Sequence, residues 1–229
     1  MKSYGTYCPI AKSVEVLGER WSILVLRELL IGATKFNDIA RGLPGMSRTM
    51  LSKRLREFEG ADLVEKLDGE YLLTPAAQEL RPIVFGLGAW GEKWLLAYPD
   101  PDDLDPVSLM WHAHPRMDGS QLPERRVVVA FELLGRPERF WVVFEQAGCS
   151  VCDADPGFEV DVTVRAQLAE LYRIFYHQLD VNTAVRAGLL TFEGEKALVR
   201  RMPSVLELRP ASALGVDPDS PRPAWRVSK

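Results

Sequence analysis

The chain has 229 residues, 47% of them hydrophobic and 26% charged, with a net charge of −4. That length accommodates two domains, and the balance is that of a soluble globular protein. The longest apolar runs break within about ten residues, too short for a membrane span, and the start MKSYGTYCPI lacks the apolar core of a signal peptide. The expectation is a cytoplasmic protein with no membrane partner, and three cysteines, an odd number, argue for reduced thiols rather than a disulfide framework.

The charge is unevenly spread. Residues 1–56 carry 10 Lys and Arg against 4 Asp and Glu, whereas residues 57–100 carry 3 against 9. Cations therefore gather in the first quarter of the chain, as a nucleic-acid binder requires despite its acidic total.

Cys8-Pro-Ile opens a first helix, with proline at a position where its missing N–H costs nothing and with Ile10, Val14 and Leu17 as an inward stripe; Gly18 ends it. The segment from Trp21 to Leu30 (WSILVLRELL) is apolar enough to be a buried helix. Gly32 closes it, and Thr34 is expected to cap a third helix carrying Phe36, Ile39 and Ala40. A Gly-Leu-Pro-Gly break then precedes a fourth, beginning at Ser47.

In that fourth helix Leu51, Leu55 and Phe58 recur at i, i+4 and i+7 and face a core. The opposite face carries Thr49, Ser52, Lys53 and Arg56, with Arg48 beside them and Glu57 at the margin. Short hydroxyl side chains permit close approach to base edges, and Lys and Arg neutralise phosphates or donate to guanine in the major groove. Ser47 stands at the N-cap, leaving the positive end of the helix dipole free to meet a phosphate. Taken alone, the same face is equally that of a solvated core helix. Residues 63–67 (LVEKL) and 71–73 (YLL) then read as two short strands around Asp68-Gly69, a tight-turn pair. Helices followed by a hairpin make a winged helix-turn-helix.

The Cys-Pro-Ile start, Gly-Glu-Arg-Trp, Phe-Asn-Asp-Ile, Leu-Pro-Gly, Leu-Ser-Lys-Arg-Leu-Arg-Glu and Leu-Thr-Pro follow in that order over residues 7–97. In this the chain closely resembles the HxlR family of winged-helix bacterial transcription regulators. The resemblance implies a helix matching Ser47 to Phe58 in the major groove of double-stranded DNA, a hairpin flanking the minor groove, and a homodimer. The hairpin departs from a strong phosphate grip: its tip is Asp68, Gly69 and Glu70, and Lys66 is its lone cation.

Thr74-Pro is expected to start a long helix in which Leu80, Ile83, Leu87, Trp90 and Trp94 step by 3, 4, 3 and 4, an a/d seam on which two copies can pair; Pro82 is a candidate bend. The competing reading packs both tryptophans on the chain's own second domain. Within this helix Gly86-Leu-Gly88-Ala-Trp-Gly91 matches the dinucleotide fingerprint, but no strand precedes it. The glycines are read as close helix packing, and no cofactor is expected.

Residues 98–108 (YPDPDDLDPVS) mark a linker. Beyond it, segments 126–134, 140–145, 149–153 and 158–164 read as strands, Ala166 to Leu179 as an amphipathic helix, Thr183 to Ala187 as a short helix, Leu189 to Glu193 as a strand and Lys196 to Arg201 as a last helix. FEVDVTVRA and DVNTAVRAGLLTFEGEKALVRRMP, in that order, resemble sterol-carrier-protein-like domains. That resemblance implies an apolar tunnel for a small-molecule effector, with Phe131, Trp141, Phe144, Phe158, Tyr172, Phe175 and Tyr176 as candidate lining; ordinary core packing uses the same residues.

Cys8 lies at a helix N-terminus, where the dipole favours the thiolate, and resemblance to the family implies an oxidant or electrophile sensor there; a small apolar residue tucked under the helix is the alternative. Cys149-Ser-Val-Cys152 has redox spacing but strand-like surroundings, in which positions i and i+3 point to opposite faces. With His112-Ala-His114 offering only two lone ligands, no metal site is expected, nor any catalytic residues.

The sequence therefore describes an α+β protein. A winged helix-turn-helix domain for DNA binding and dimerisation (1–97) is joined by a linker (98–108) to a sterol-carrier-like effector domain (109–215) and a tail (216–229). The expected function is a dimeric, sequence-specific transcription regulator, a repressor, on a palindromic operator. The competing class is a hydrophobic-ligand carrier that keeps the helical domain only for dimerisation.

Overall fold

The computed structural model describes residues 3–146 and 148–210 and the backbone of 224 and 225, and divides into two compact units, Met1–Trp90 and Gly91–Lys229. The first runs α1 (Pro9–Leu17), α2 (Ser22–Leu30), α3 (Phe36–Arg41), α4 (Arg48–Glu59), β1 (Val64–Leu67), β2 (Glu70–Leu73), α5 (Pro75–Gln78) and the start of α6 (Arg81–Trp94), inside which the division falls.

Helix α2 is the centre of this unit. Val25, Leu26, Leu29 and Leu30 are buried, as are Ile39 of α3 and Leu51, Leu55 and Phe58 of α4. Each such side chain contributes about 1.5–3 kcal/mol by leaving water. Strands β1 and β2 pair antiparallel from Val64↔Leu73 to Leu67↔Glu70, and the turn places Asp68 at φ +51° and Gly69 at φ +82°. Both residues are left-handed, as a two-residue turn matching the twist of its strands requires. The hairpin is tied back to the helices where Tyr71 N donates to the Thr34 carbonyl at 2.8 Å.

Three expectations for this unit are corrected. Helix α1 buries none of its residues: Ile10 is 75% exposed, Val14 is exposed and Leu17 is half-buried, so the periodic stripe faces outward. Lys35, not Thr34, occupies the N-cap of α3, because the backbone of Thr34 is engaged with the hairpin. The long helix after Thr74 is two helices: α5 ends after one turn, and Pro82, which lacks an N–H, sits in the first turn of α6 where that lack is tolerated.

In the second unit, α7 (Pro106–Ala113) precedes β3 (Val127–Leu133), β4 (Arg139–Glu145), β5 (Gly148–Cys152) and β6 (Val162–Ala166); α8 (Leu168–Phe175), α9 (Val181–Arg186), β7 (Leu190–Gly194), α10 (Lys196–Val199) and α11 (Met202–Leu206) follow, with β8 (Ala224–Trp225) last. The sheet order is β7-β6-β3-β4-β5-β8, with β3–β6 and β5–β8 parallel and the other pairs antiparallel. One face, carrying Val127, Val129, Phe131, Phe140, Val142 and Val164, shares a core with Leu109, Leu171, Ile174 and Phe175 of the helices.

The segment expected to be a linker contains a turn of 3₁₀ helix at Pro101–Asp103 and the start of α7, which Asp105 caps by accepting from Ser108 N at 2.6 Å. The strand expected at 158–164 begins only at Val162, after a loop. Helix α8 is shorter than predicted, with His177 at φ +57° just after it; the helix expected at Lys196 to Arg201 is α10, ending at Val199, and α11, with Pro203 in its first turn, follows where no helix was expected. The expected tail 216–229 lies outside the described residues except for β8.

Gly194 closes β7 at φ +143°, and a Cβ there would lie 2.1 Å from the Asp161 carbonyl oxygen. Gly194→Ala is expected to destabilise the second unit by about 3 kcal/mol through overpacking and backbone strain. Urea unfolding of the two proteins side by side measures this; equal midpoints would contradict it.

Candidate nucleic-acid interface

Helix α4 begins at Ser47, whose hydroxyl accepts from Met50 N at 3.2 Å and satisfies one of the orphan donors of the first turn. With Leu51, Leu55 and Phe58 each about 1% exposed, the helix cannot roll without exposing three large apolar groups. Ser47, Arg48, Thr49, Lys53 and Arg56 are consequently exposed and Ser52 is half-buried. The cations are not equally free. Arg48 lies 5.3 Å from the Phe36 ring centroid and donates to Asn37 Oδ1, so it is held against α3. Arg56 Nε donates to the Ser52 carbonyl at 3.2 Å, and Lys53 Nζ is 3.9 Å from a Glu57 carboxylate oxygen. An exposed pair at that distance contributes little and gives way readily to a phosphate. On the hairpin, exposed Lys66 sits 5.2 Å from the Tyr71 ring centroid.

One residue of this helix escaped the sequence reading. Arg54 is 4% exposed, and its guanidinium donates to the Arg20 carbonyl at 3.1 Å, to Glu19 at 3.2 Å and to Glu57. Its spacing from Leu51 and Phe58 places it on the inward stripe, which is the signal that marked it. A second buried charge, Glu28, pairs with Arg27, whose Nη2 donates to the Gly42 carbonyl at 3.0 Å and so fastens the end of α3.

On α6 the structure exposes Ile83 (56%), Leu87 (49%), Trp90 (55%) and Trp94 (65%), while Leu80, half-buried, precedes the helix. Gly86, Gly88 and Gly91 lie inside α6, not in a strand-to-helix turn, and a Cβ on any of them would meet nothing within 4 Å. The close packing expected of these glycines is therefore not found among the described residues.

The candidate effector residues do not converge. Residues paired across neighbouring strands share a face, and Phe131 pairs with Phe140 whereas Trp141 pairs with Ala130 and Cys152. Phe131, Phe144 and Phe175 thus belong to the packed core and Trp141 to the opposite side of the sheet. Phe158 stacks under the Arg126 guanidinium at 3.9 Å, and Tyr172 and Tyr176 stack on each other at 6.1 Å. The strand alternation that the sheet imposes rules out a single cavity lined by all seven.

Cys8 is half-buried at the N-cap of α1. Cys149 donates to the His114 carbonyl at 2.8 Å, and burial pushes its thiol up to about 12, while Cys152 is buried on the other face. His114 is fully buried, with Nδ1 3.1 Å from the Met110 carbonyl and Nε2 without a hydrogen-bond partner among the described residues. Burial pushes its pKa down to about 4. Among the described residues no group of three or more His, Cys, Asp or Glu is placed to hold a metal.

Residues 16–98 match the HxlR-like helix-turn-helix family and residues 121–207 the SCP-2 sterol transfer family. An uncharacterized HTH-type transcriptional regulator of Bacillus subtilis, YvaP, is 34% identical over 106 residues, which are 43% of this chain and 94% of that protein. The chain belongs to the HxlR-like helix-turn-helix family. An uncharacterized HTH-type transcriptional regulator of Synechocystis is 35% identical over 98 residues, 40% of this chain and 73% of its own length. Among solved structures, quinone-bound YodB from B. subtilis is 31% identical over 38% of this chain and 100% of that one, with a TM-score of 0.36. In this HxlR-like chain the family match thus covers the elements from α2 through the hairpin to α6, and the SCP-2 match covers strands β3 to β7 and helices α8 to α11.

His114 sets a pH dependence of folding. Its folded pKa, about 4, lies below the usual 6.5, so between these values the unfolded chain binds the extra proton. The stabilisation is complete above pH 6.5 and is lost as pH falls towards 4, by about 3 kcal/mol at most. Urea titrations across this window should show stability falling with acid in the native chain and a flatter profile in His114→Gln.

Proposed function

We propose that this chain is a sequence-specific DNA-binding transcription regulator, a cytoplasmic repressor, acting as a homodimer on a palindromic operator. One observation carries the reading: α4 keeps Leu51, Leu55 and Phe58 buried and leaves Ser47, Arg48, Thr49, Lys53 and Arg56 open to a duplex. Hydroxyls near the helix start suit base edges, and the cations suit phosphates and guanine. Membership of the HxlR-like family and relatives described as HTH-type transcriptional regulators support the same conclusion. Among the described residues no helix is long and apolar enough to cross a membrane.

Dimerisation is assigned to α6, where Ile83, Leu87, Trp90 and Trp94 form an exposed apolar line that water alone does not satisfy. The division of labour places DNA binding and pairing in residues 1–97 and sensing in 109–215. The match to the SCP-2 sterol transfer family supports an apolar small molecule as effector. Such a ligand alters DNA binding only through unequal affinity for two arrangements of the dimer. Cys8, half-buried beside the start of α1, is the second proposed input, through oxidation.

Gel-shift titration against salt tests the reading: a steep fall in affinity with added salt together with preference for one inverted repeat is expected. Lys53→Ala and Arg56→Ala should each weaken binding by about 1–3 kcal/mol, and a lost phosphate contact lowers the salt slope by about 1. Unchanged binding in both would remove α4 from the interface. Trp90→Ala with Trp94→Ala should shift the protein from dimer to monomer in sedimentation at micromolar concentration; a persistent dimer would place the seam elsewhere.

A further inference from the structure

The turn between α1 and α2 meets the DNA-facing helix at two points. Trp21 adopts φ +78°, a left-handed backbone rare for a bulky residue and a sign that its surroundings over-determine it. Its ring faces the loop leading into α4, since a Cβ on Gly45 would stand 4.0 Å from Trp21 Cη2. Midway along α4, Arg54 reaches back to the same turn, donating to the Arg20 carbonyl at 3.1 Å and to Glu19 at 3.2 Å, and is completed by Glu57 on its own helix. The Gly-Glu-Arg-Trp stretch thus touches both the entry and the middle of α4.

Resting on the proposed reading of α4 as the DNA-reading helix, we propose that Arg54 is a positioning residue that fixes the angle of α4 by locking it to the Glu19–Trp21 turn. It never touches DNA. Three features separate it from the phosphate-binding cations beside it. Its guanidinium is buried, whereas Lys53 and Arg56 are exposed. Its donors are committed to a carbonyl and two carboxylates on two elements, so it is a planar fork holding fixed partners. A guanidinium so enclosed cannot swing out without leaving the carboxylates and carbonyl unpaired. The turn also joins α1, which exposes Ile10 and carries Cys8 at its N-cap, to the helix proposed to read DNA. Any displacement of α1 therefore reaches α4 through this contact.

Glu19→Gln gives the decisive test, because Glu19 is half exposed and its replacement opens no void. Removing an acid near DNA by charge alone strengthens binding; loss of a positioning contact weakens binding to the preferred site. The probe is a duplex selected by the native full-length protein from a random library, with a scrambled duplex as control, each titrated over a range of salt. Glu19→Gln and Arg54→Lys are expected to bind the selected duplex at least tenfold more weakly, with affinity for the scrambled duplex not reduced and the salt slope unchanged. The double variant should lose no more than the worse single one, since both break one contact. Unchanged preference for the selected duplex in Glu19→Gln would overturn the assignment, and the Glu19 variant decides even if the Arg54 variant fails to fold. Failure of the native protein to select any duplex is a distinct result, which would overturn the DNA-binding reading and this inference with it.

Discussion

The burial of Leu51, Leu55 and Phe58 against α2 fixes which side of α4 is free, and the proposed activity follows from that side. An apolar stripe sets the roll of a helix but leaves its tilt weakly defined, because ridges and grooves tolerate a spread of crossing angles. For α4 a directional contact is supplied by the Arg54 fork on the Glu19–Arg20 turn, while the Arg27–Glu28 pair with its bond to the Gly42 carbonyl fastens the end of α3. Hydrophobic area gives affinity for the core, and the buried charges give it a direction.

The same economy governs the surfaces left unpaired. Helices α1 and α6 expose Ile10, Leu87, Trp90 and Trp94, and α6 includes three glycines on which a Cβ would meet nothing within 4 Å among the described residues. Glycine in a helix interior costs about 1 kcal/mol relative to alanine. A second subunit is the simplest structure that uses both features, and the proposed regulator requires one, since reading an inverted repeat takes two α4 helices about 34 Å apart.

In the second unit, the sheet imposes a strict alternation that separates residues of similar chemistry. Phe131 and Trp141 are both large aromatics in neighbouring strands, yet register puts them on opposite faces. His114 shows another face of burial: deep in the fold, desolvation holds its ring neutral.

The sequence determined the local and periodic features. The i, i+4, i+7 spacing in α4, the Ser47 cap, the Asp68-Gly69 turn and the alternation of the strands from Val127 to Cys152 are each set by residues a few positions apart, so they were legible without coordinates. The outward stripe of α1 was not, because periodicity reports that a face is apolar and not what covers it. Thr34 lost its capping role because the hairpin claims its backbone, a contact between segments distant along the chain. Arg54 lies on the inward stripe by its spacing from Leu51 and Phe58, but spacing does not name the partners of a buried charge. Only the fold, by bringing the α1–α2 turn against α4, decided that its guanidinium meets Glu19 and the Arg20 carbonyl there.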